Sequence, residues 1–99
     1  MSALFSEVVS RVKAERVCGI LEKLIAFPTV NPPGDEGEIA SFVADLLTTA
    51  GLDVEASEVR PGRPNVVGRL LTGRPGPALI LNTHMDVVPT GDGWSRDPF

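Results

Sequence analysis

The chain contains one histidine, His84, which stands two residues before Asp86 in the stretch LILNTHMDVVP. Imidazole is a common metal ligand. A ligating imidazole ordinarily gives its other ring N–H to a carboxylate or a carbonyl, which fixes the tautomer and raises the basicity of the ligating nitrogen. His-x-Asp brings both groups together in three residues. If the backbone is extended there, Ile80, Asn82, His84 and Asp86 share one side of it, because residues i and i+2 of a strand face the same way. The motif is short, and the same two residues also fit a histidine bonded to a loop carbonyl beside an Asp86 that caps the turn before Pro89.

Other reactive side chains carry less. Cys18 lies in AERVCGILEKL with no local base or ligand beside it, so it reads as a small apolar side chain rather than a nucleophile. A single cysteine also makes no internal disulfide, which fits a reducing compartment. Glu36 and Glu38 form a pair of acids, but acidic charge in a first helical turn is their simpler role. Asp92 and Asp97 sit among turn-forming residues as solvated or turn-capping loop aspartates. Trp94 and Phe99 either line a pocket or anchor their loop to the domain, and the neighbouring Gly and Pro favour the anchor. No glycine-rich stretch has a phosphate-loop pattern.

The elements that would position His84 can be read from hydrophobic periodicity. Residues 2–27 have helical spacing but change phase. Phe5, Val8, Val9 and Val12 mark one stripe and Val17, Ile20, Leu21 and Leu24 another, so a break near residues 11–15 is expected, with 13–26 the firmer helix. Pro28 and the following TVNPPG end it. Ile39, Phe42, Val43, Leu46, Leu47 and Ala50 give one apolar face to a helix over about 36–50. Asp35 and Glu38 are suited to cap its start, and Gly51 to stop it.

Three strands are expected to follow. LDVEASEV alternates apolar and polar residues as a half-exposed strand near a sheet edge. After the turn RPGRP, NVVGRLL and ALILNT read as an antiparallel hairpin joined by TGRPGP. Ala78 to Leu81 is apolar on both faces, as a central strand covered on both sides would be. Residues 86–99 read as a loop. This order of two helices and then three strands is the opening of a larger α/β sheet, and His84 falls outside the carboxyl end of a strand, where ligands gather in such folds.

Composition narrows the function classes. At 99 residues the chain is one domain or part of one, since domains run to roughly 100 to 150 residues. A net charge of -4, with no cluster of Lys and Arg, gives no field to attract nucleic acid. No apolar segment approaches the roughly 20 residues needed to span a bilayer, and MSALFSEVVSRVK lacks the basic start of a secretory signal. A cytoplasmic location is expected.

TVNPPGDE, the amphipathic helix, the alternating strand, the hairpin, NTHMDVVP and the W-x-x-D-P-F of Trp94, Asp97, Pro98 and Phe99 occur in order. From about Glu15 to Phe99 the chain thereby resembles the acetylornithine deacetylase, succinyl-diaminopimelate desuccinylase and aminoacylase family of dinuclear zinc metallopeptidases. The resemblance implies the N-terminal part of a mixed-sheet zinc-exopeptidase catalytic domain over residues 13–99, incomplete here, with 1–12 as an extension. It implies His84 as a ligand to one of two divalent ions, zinc with cobalt or manganese as substitutes, and Asp86 as the catalytic-site carboxylate that orients the imidazole. The parent protein would hydrolyse the amide bond of N-acyl amino acids or small peptides, with a homodimer among its assembly states.

The family's bridging carboxylate, its general-base glutamate and its remaining ligands would lie past Phe99. A catalytic zinc site takes about three protein ligands, so the 99 residues are expected to be inactive by themselves. The alternative, of a different class, is a non-catalytic α/β binding or interaction module that keeps the scaffold without the chemistry.

Overall fold

A computed structural model describes residues 2–99 as three helices followed by two strands, in two compact units. The first unit holds the chain up to Pro28 together with Gly93–Phe99, and the second is Thr29–Asp92.

In the first unit, α1 (Ala3–Ser10) is capped by Ser2, whose hydroxyl accepts from Phe5 N at 3.2 Å. The helix stops at Arg11, and α2 (Ala14–Ile25) starts after Lys13, which is extended with φ -111° and ψ 122°. The break thus falls where the apolar stripe changes phase, since one straight helix would point its two stripes in different directions. Helix α2 closes at Ala26, whose N–H donates to the Glu22 carbonyl, two residues ahead of Pro28. Neither helix has a buried residue, and Cys18 is exposed. Residues 93–99 form no helix or strand, as expected of a loop.

The second unit carries the core. Helix α3 (Gly37–Thr49) lies against a hairpin of β1 (Asp53–Arg60) and β2 (Arg63–Arg69), with Ile39 and Ala40 buried. The end of α3 follows the expectation from Gly51. That residue has φ +91°, its N–H donates to the Thr48 carbonyl, and Leu52 N–H reaches back to the Leu47 carbonyl, which together make a Schellman closure. The start differs by one residue. Glu36 takes the N-cap position without a side-chain cap, because its carboxylate is turned to Arg63, and Asp35 Oδ1 makes only a long 3.5 Å contact with Gly37 N–H.

The strands require a correction. The hairpin forms one turn earlier than expected, pairing β1 with β2 antiparallel through Pro61 and Gly62, with an irregularity in register between Glu58 and Arg60. NVVGRLL therefore pairs backwards with DVEASEVR and not forwards with ALILNT. The expected central strand at Ala78–Leu81 is absent, and Leu79, Ile80 and Leu81 are more than four-fifths exposed. A strand that is apolar on both faces needs neighbours at its edges and layers above and below, and the described residues supply neither. Two helices and three strands thus become three helices and two strands. The one parallel pairing among the described residues is a bridge between Val30 and Val87, so the expected mixed sheet is an antiparallel hairpin with that bridge apart from it.

Candidate functional site

The Val30–Val87 bridge builds the site. Asn31 N–H donates to the Val87 carbonyl at 2.8 Å, Val87 N–H donates to the Thr29 carbonyl at 3.0 Å, and the buried Thr29 hydroxyl donates to the Met85 carbonyl at 2.7 Å. These bonds set the loop after Pro28 alongside residues 85–87, so that two segments more than fifty residues apart in sequence are stapled main chain to main chain. Asp86 then faces the Asn31 side chain.

His84 and Asp86 are in contact. His84 Nδ1 lies 2.8 Å from the Asp86 carbonyl oxygen and 3.1 Å from Asp86 Oδ1. Both neighbours are acceptors, so Nδ1 must carry the hydrogen and donate, and the neutral ring is then left with its lone pair on Nε2. The carbonyl contact is what a histidine at rest against a loop would make, and the carboxylate contact is what an oriented ligand would make; the structure contains both. The imidazole is largely exposed.

The second oxygen of Asp86 is also engaged. Oδ2 accepts from Asn31 Nδ2 at 2.8 Å and lies 3.7 Å from Arg63 Nη2. The Asn31 hydrogen bond, with smaller help from the His84 charge and its hydrogen bond, holds the Asp86 carboxyl below its ordinary value against the opposing effect of desolvation. Asp86 is therefore a carboxylate at neutral pH.

Arg63, the first residue of β2, is fixed from the other side. Its Nε and Nη2 donate to Glu36 Oε2 and Oε1 at 3.1 and 2.9 Å, a two-pronged pair with a side chain that is only 6% exposed. That hydrogen bonding raises the Arg63 guanidinium above its ordinary value, with the charges of Glu36 and Asp86 adding to it. Glu36 N–H in turn donates to the Gly62 carbonyl at 2.9 Å, which ties the start of α3 to the hairpin turn. Gly34 makes room for the pair. It is buried with φ +73°, and a Cβ there would lie 2.7 Å from Arg63 Cζ.

Asn31, Glu36 and Arg63 are the parts that sequence reasoning missed. Glu36 was expected only as charge in a first helical turn. The available signal was TVNPPG itself, a polar residue before two prolines that break helix and strand alike, but nothing local indicates what such a loop faces. Of the remaining candidates, Asp97 caps its own turn, its Oδ1 accepting from Phe99 N–H at 2.9 Å. Trp94 and Phe99 belong to the other unit and are both exposed.

A metal fits only one corner of this arrangement. Nε2 of His84 keeps its lone pair in this tautomer, but among the described residues no three His, Cys, Asp or Glu side chains come together as a site that could hold an ion. Nor is any helix of the described residues long and apolar enough to cross a membrane.

No family model matches the chain, and no solved structure does. Curated relatives do. The chain is 43% identical over 86 residues to succinyl-diaminopimelate desuccinylase of Methylobacterium nodulans, an alignment that takes in 81% of the chain and 21% of the relative. It is 40% identical to the desuccinylase of Methylorubrum extorquens over 86 residues, with the same shares of each. It is also 36% identical over 90 residues to N-formyl-4-amino-5-aminomethyl-2-methylpyrimidine deformylase of Bacillus subtilis, covering 86% of the chain and 21% of that protein. The chain thus spans about a fifth of the length of the relatives it matches. With motifs and identity in agreement over four-fifths of its length, the chain belongs to the acetylornithine deacetylase, succinyl-diaminopimelate desuccinylase and aminoacylase family.

Proposed function

We propose that the chain is part of a metal-dependent hydrolase that removes an acyl group from nitrogen, acting on the amide bond of N-acyl amino acids or small peptides. The observation that carries this reading is that two kinds of relative, a desuccinylase and a deformylase, are both named for taking an acyl group off their substrate. In this reading His84 offers Nε2 to one of two divalent ions, zinc or in its place cobalt or manganese. Asp86 keeps Nδ1 protonated and the ring aimed. When bound, such ions supply Lewis acidity to a carbonyl oxygen and to water. The described residues contribute one donor and its orienting carboxylate, and the other ligands and the general base belong to the rest of the parent protein.

The test uses the polypeptide expressed from the full reading frame, assayed on N-succinyl and N-formyl amino acids. His84→Ala should abolish metal-dependent hydrolysis, and Asp86→Asn should lower metal affinity or activity about 10- to 100-fold, as loss of a ligand-orienting group does. Hydrolysis that is indifferent to His84→Ala would sink the reading.

A second reading, a non-catalytic module that associates through its apolar surface, is favoured by the exposed Leu79–Leu81 run. Self-association that Ile80→Asp abolishes, in a protein without metal-dependent hydrolysis, would support it over the first.

A further inference from the structure

A carboxylate held at one oxygen can still swing about its terminal torsion, which is broad for aspartate. Donating to Asp86 Oδ1 therefore does not by itself fix the His84 ring. The opposite oxygen decides the plane of the carboxylate, and Oδ2 accepts from Asn31 Nδ2 at 2.8 Å. Asn31 is well placed to act as an anchor. Its own N–H is bonded to the Val87 carbonyl and Val87 N–H to the Thr29 carbonyl, so main-chain bonds hold the residues on either side of the contact. A carboxylate only accepts, which obliges the Asn31 amide to present its nitrogen. Arg63 Nη2 approaches the same oxygen at 3.7 Å, beyond hydrogen-bond length, and its guanidinium is committed to Glu36. Arg63 gives charge to this oxygen; Asn31 gives it direction.

We propose that Asn31 is a positioning residue. Its side-chain amide holds the Asp86 carboxylate in the plane that accepts from His84 Nδ1, and so selects the ring tautomer in which Nε2 keeps its lone pair. The value of that tautomer to the parent protein rests on the hydrolase reading above, but the selection itself is a property of this chain and is measured without any turnover.

His84 is the only histidine of the 99 residues, so the ring 15N resonances of that polypeptide belong to one imidazole. They are read in alkaline solution, on the neutral form of the ring. The wild-type ring should be predominantly protonated at Nδ1. Asn31→Asp, which keeps the shape and exchanges a donor for an acceptor, should drive the Asp86 carboxylate away and shift the ring toward protonation at Nε2. The exchange Asn31→Asp with Asp86→Asn reverses the same hydrogen bond while leaving a carbonyl oxygen for Nδ1, and should restore the wild-type tautomer. A role in folding alone would not follow this pattern, so cross-strand contacts between β1 and β2 are read in each variant.

If the ring keeps its Nδ1 proton in a folded Asn31→Asp variant, the Asp86 carbonyl selects the tautomer and the proposal is overturned. If Asn31→Asp unfolds, the double exchange decides: a restored fold with the Nδ1-protonated ring supports the proposal, and a double variant that stays unfolded or carries the other tautomer overturns it. Absence of hydrolysis in the parent protein would defeat the hydrolase reading and leave the tautomer result standing.

Discussion

Replacing Gly34 by alanine tests the architecture beneath Asp86. Gly34 is buried with φ +73°, a region that L-residues enter at a cost of about 1–2 kcal/mol. The added methyl would also lie 2.7, 2.8 and 2.9 Å from Cζ, Nη2 and Nε of Arg63. Those separations are too short to persist, so the guanidinium must move. It cannot move without disturbing both of its bonds to the Glu36 carboxylate, which is nearly sealed from solvent. Strain alone sets a floor of about 1 kcal/mol, which for a domain of this size is a fall in melting temperature of roughly 4–8 °C, and the displaced pair adds to it. Gly37→Ala is the control, since its φ is not positive and the nearest atom to an added Cβ is 3.7 Å away. Thermal unfolding followed by circular dichroism, with Arg63→Ala in both backgrounds, separates the two causes, because the clash vanishes when Arg63 is absent and the strain does not. Equal melting temperatures for Gly34→Ala and Gly37→Ala would refute the reasoning, and strict additivity with Arg63→Ala would refute the clash.

Further outcomes follow from the same structure. Ile39→Ala should cost about 2–3 kcal/mol in urea unfolding, since Ile39, on the buried face of α3, is 5% exposed, whereas Ile80→Ala at 83% exposure should stay within about 0.5 kcal/mol. A loss at Ile80 equal to that at Ile39 would mean that the apolar run is covered in solution. The Asp86 carboxyl is lowered in the folded chain, so its contribution is complete above its ordinary value of 3.8 and is lost as pH falls through the folded value. Asp86→Asn should therefore destabilise at pH 7 and flatten the acid limb below about pH 4; an unchanged acid slope would show that Asp86 contributes nothing there. Titrated with zinc, the 99 residues should show no tight stoichiometric binding, because no three donors converge among those described. A sub-micromolar one-to-one complex lost in His84→Ala would contradict that placement.

Much of the local structure was legible in the sequence because its causes are local. The phase change between Val12 and Val17 marks the break between α1 and α2, and Gly51 ends α3 through its own left-handed conformation. The strand pairing was not legible, because a pattern such as NVVGRLL records which faces are apolar and not which neighbour will cover them. RPGRP and TGRPGP are both competent turns, and the choice between them depends on what partners are present. The run at Ala78–Leu81 shows the limit most clearly: its composition belongs to a covered strand, and the described residues leave it uncovered.

The site divides in the same way. The sequence by itself determined that one imidazole and one carboxylate stand two residues apart, and their spacing is enough to put Nδ1 within reach of Asp86. Tertiary structure alone decided what holds that carboxylate. Asn31 and Asp86 are 55 residues apart and Glu36 and Arg63 are 27 apart, and they meet only through the Val30–Val87 bridge and the fold of the β1–β2 hairpin against the start of α3. The physical reason is the range of the forces. Backbone preference and side-chain periodicity act over a turn or a strand, whereas a hydrogen bond between distant residues exists only after main-chain pairing has brought them to within about 3 Å.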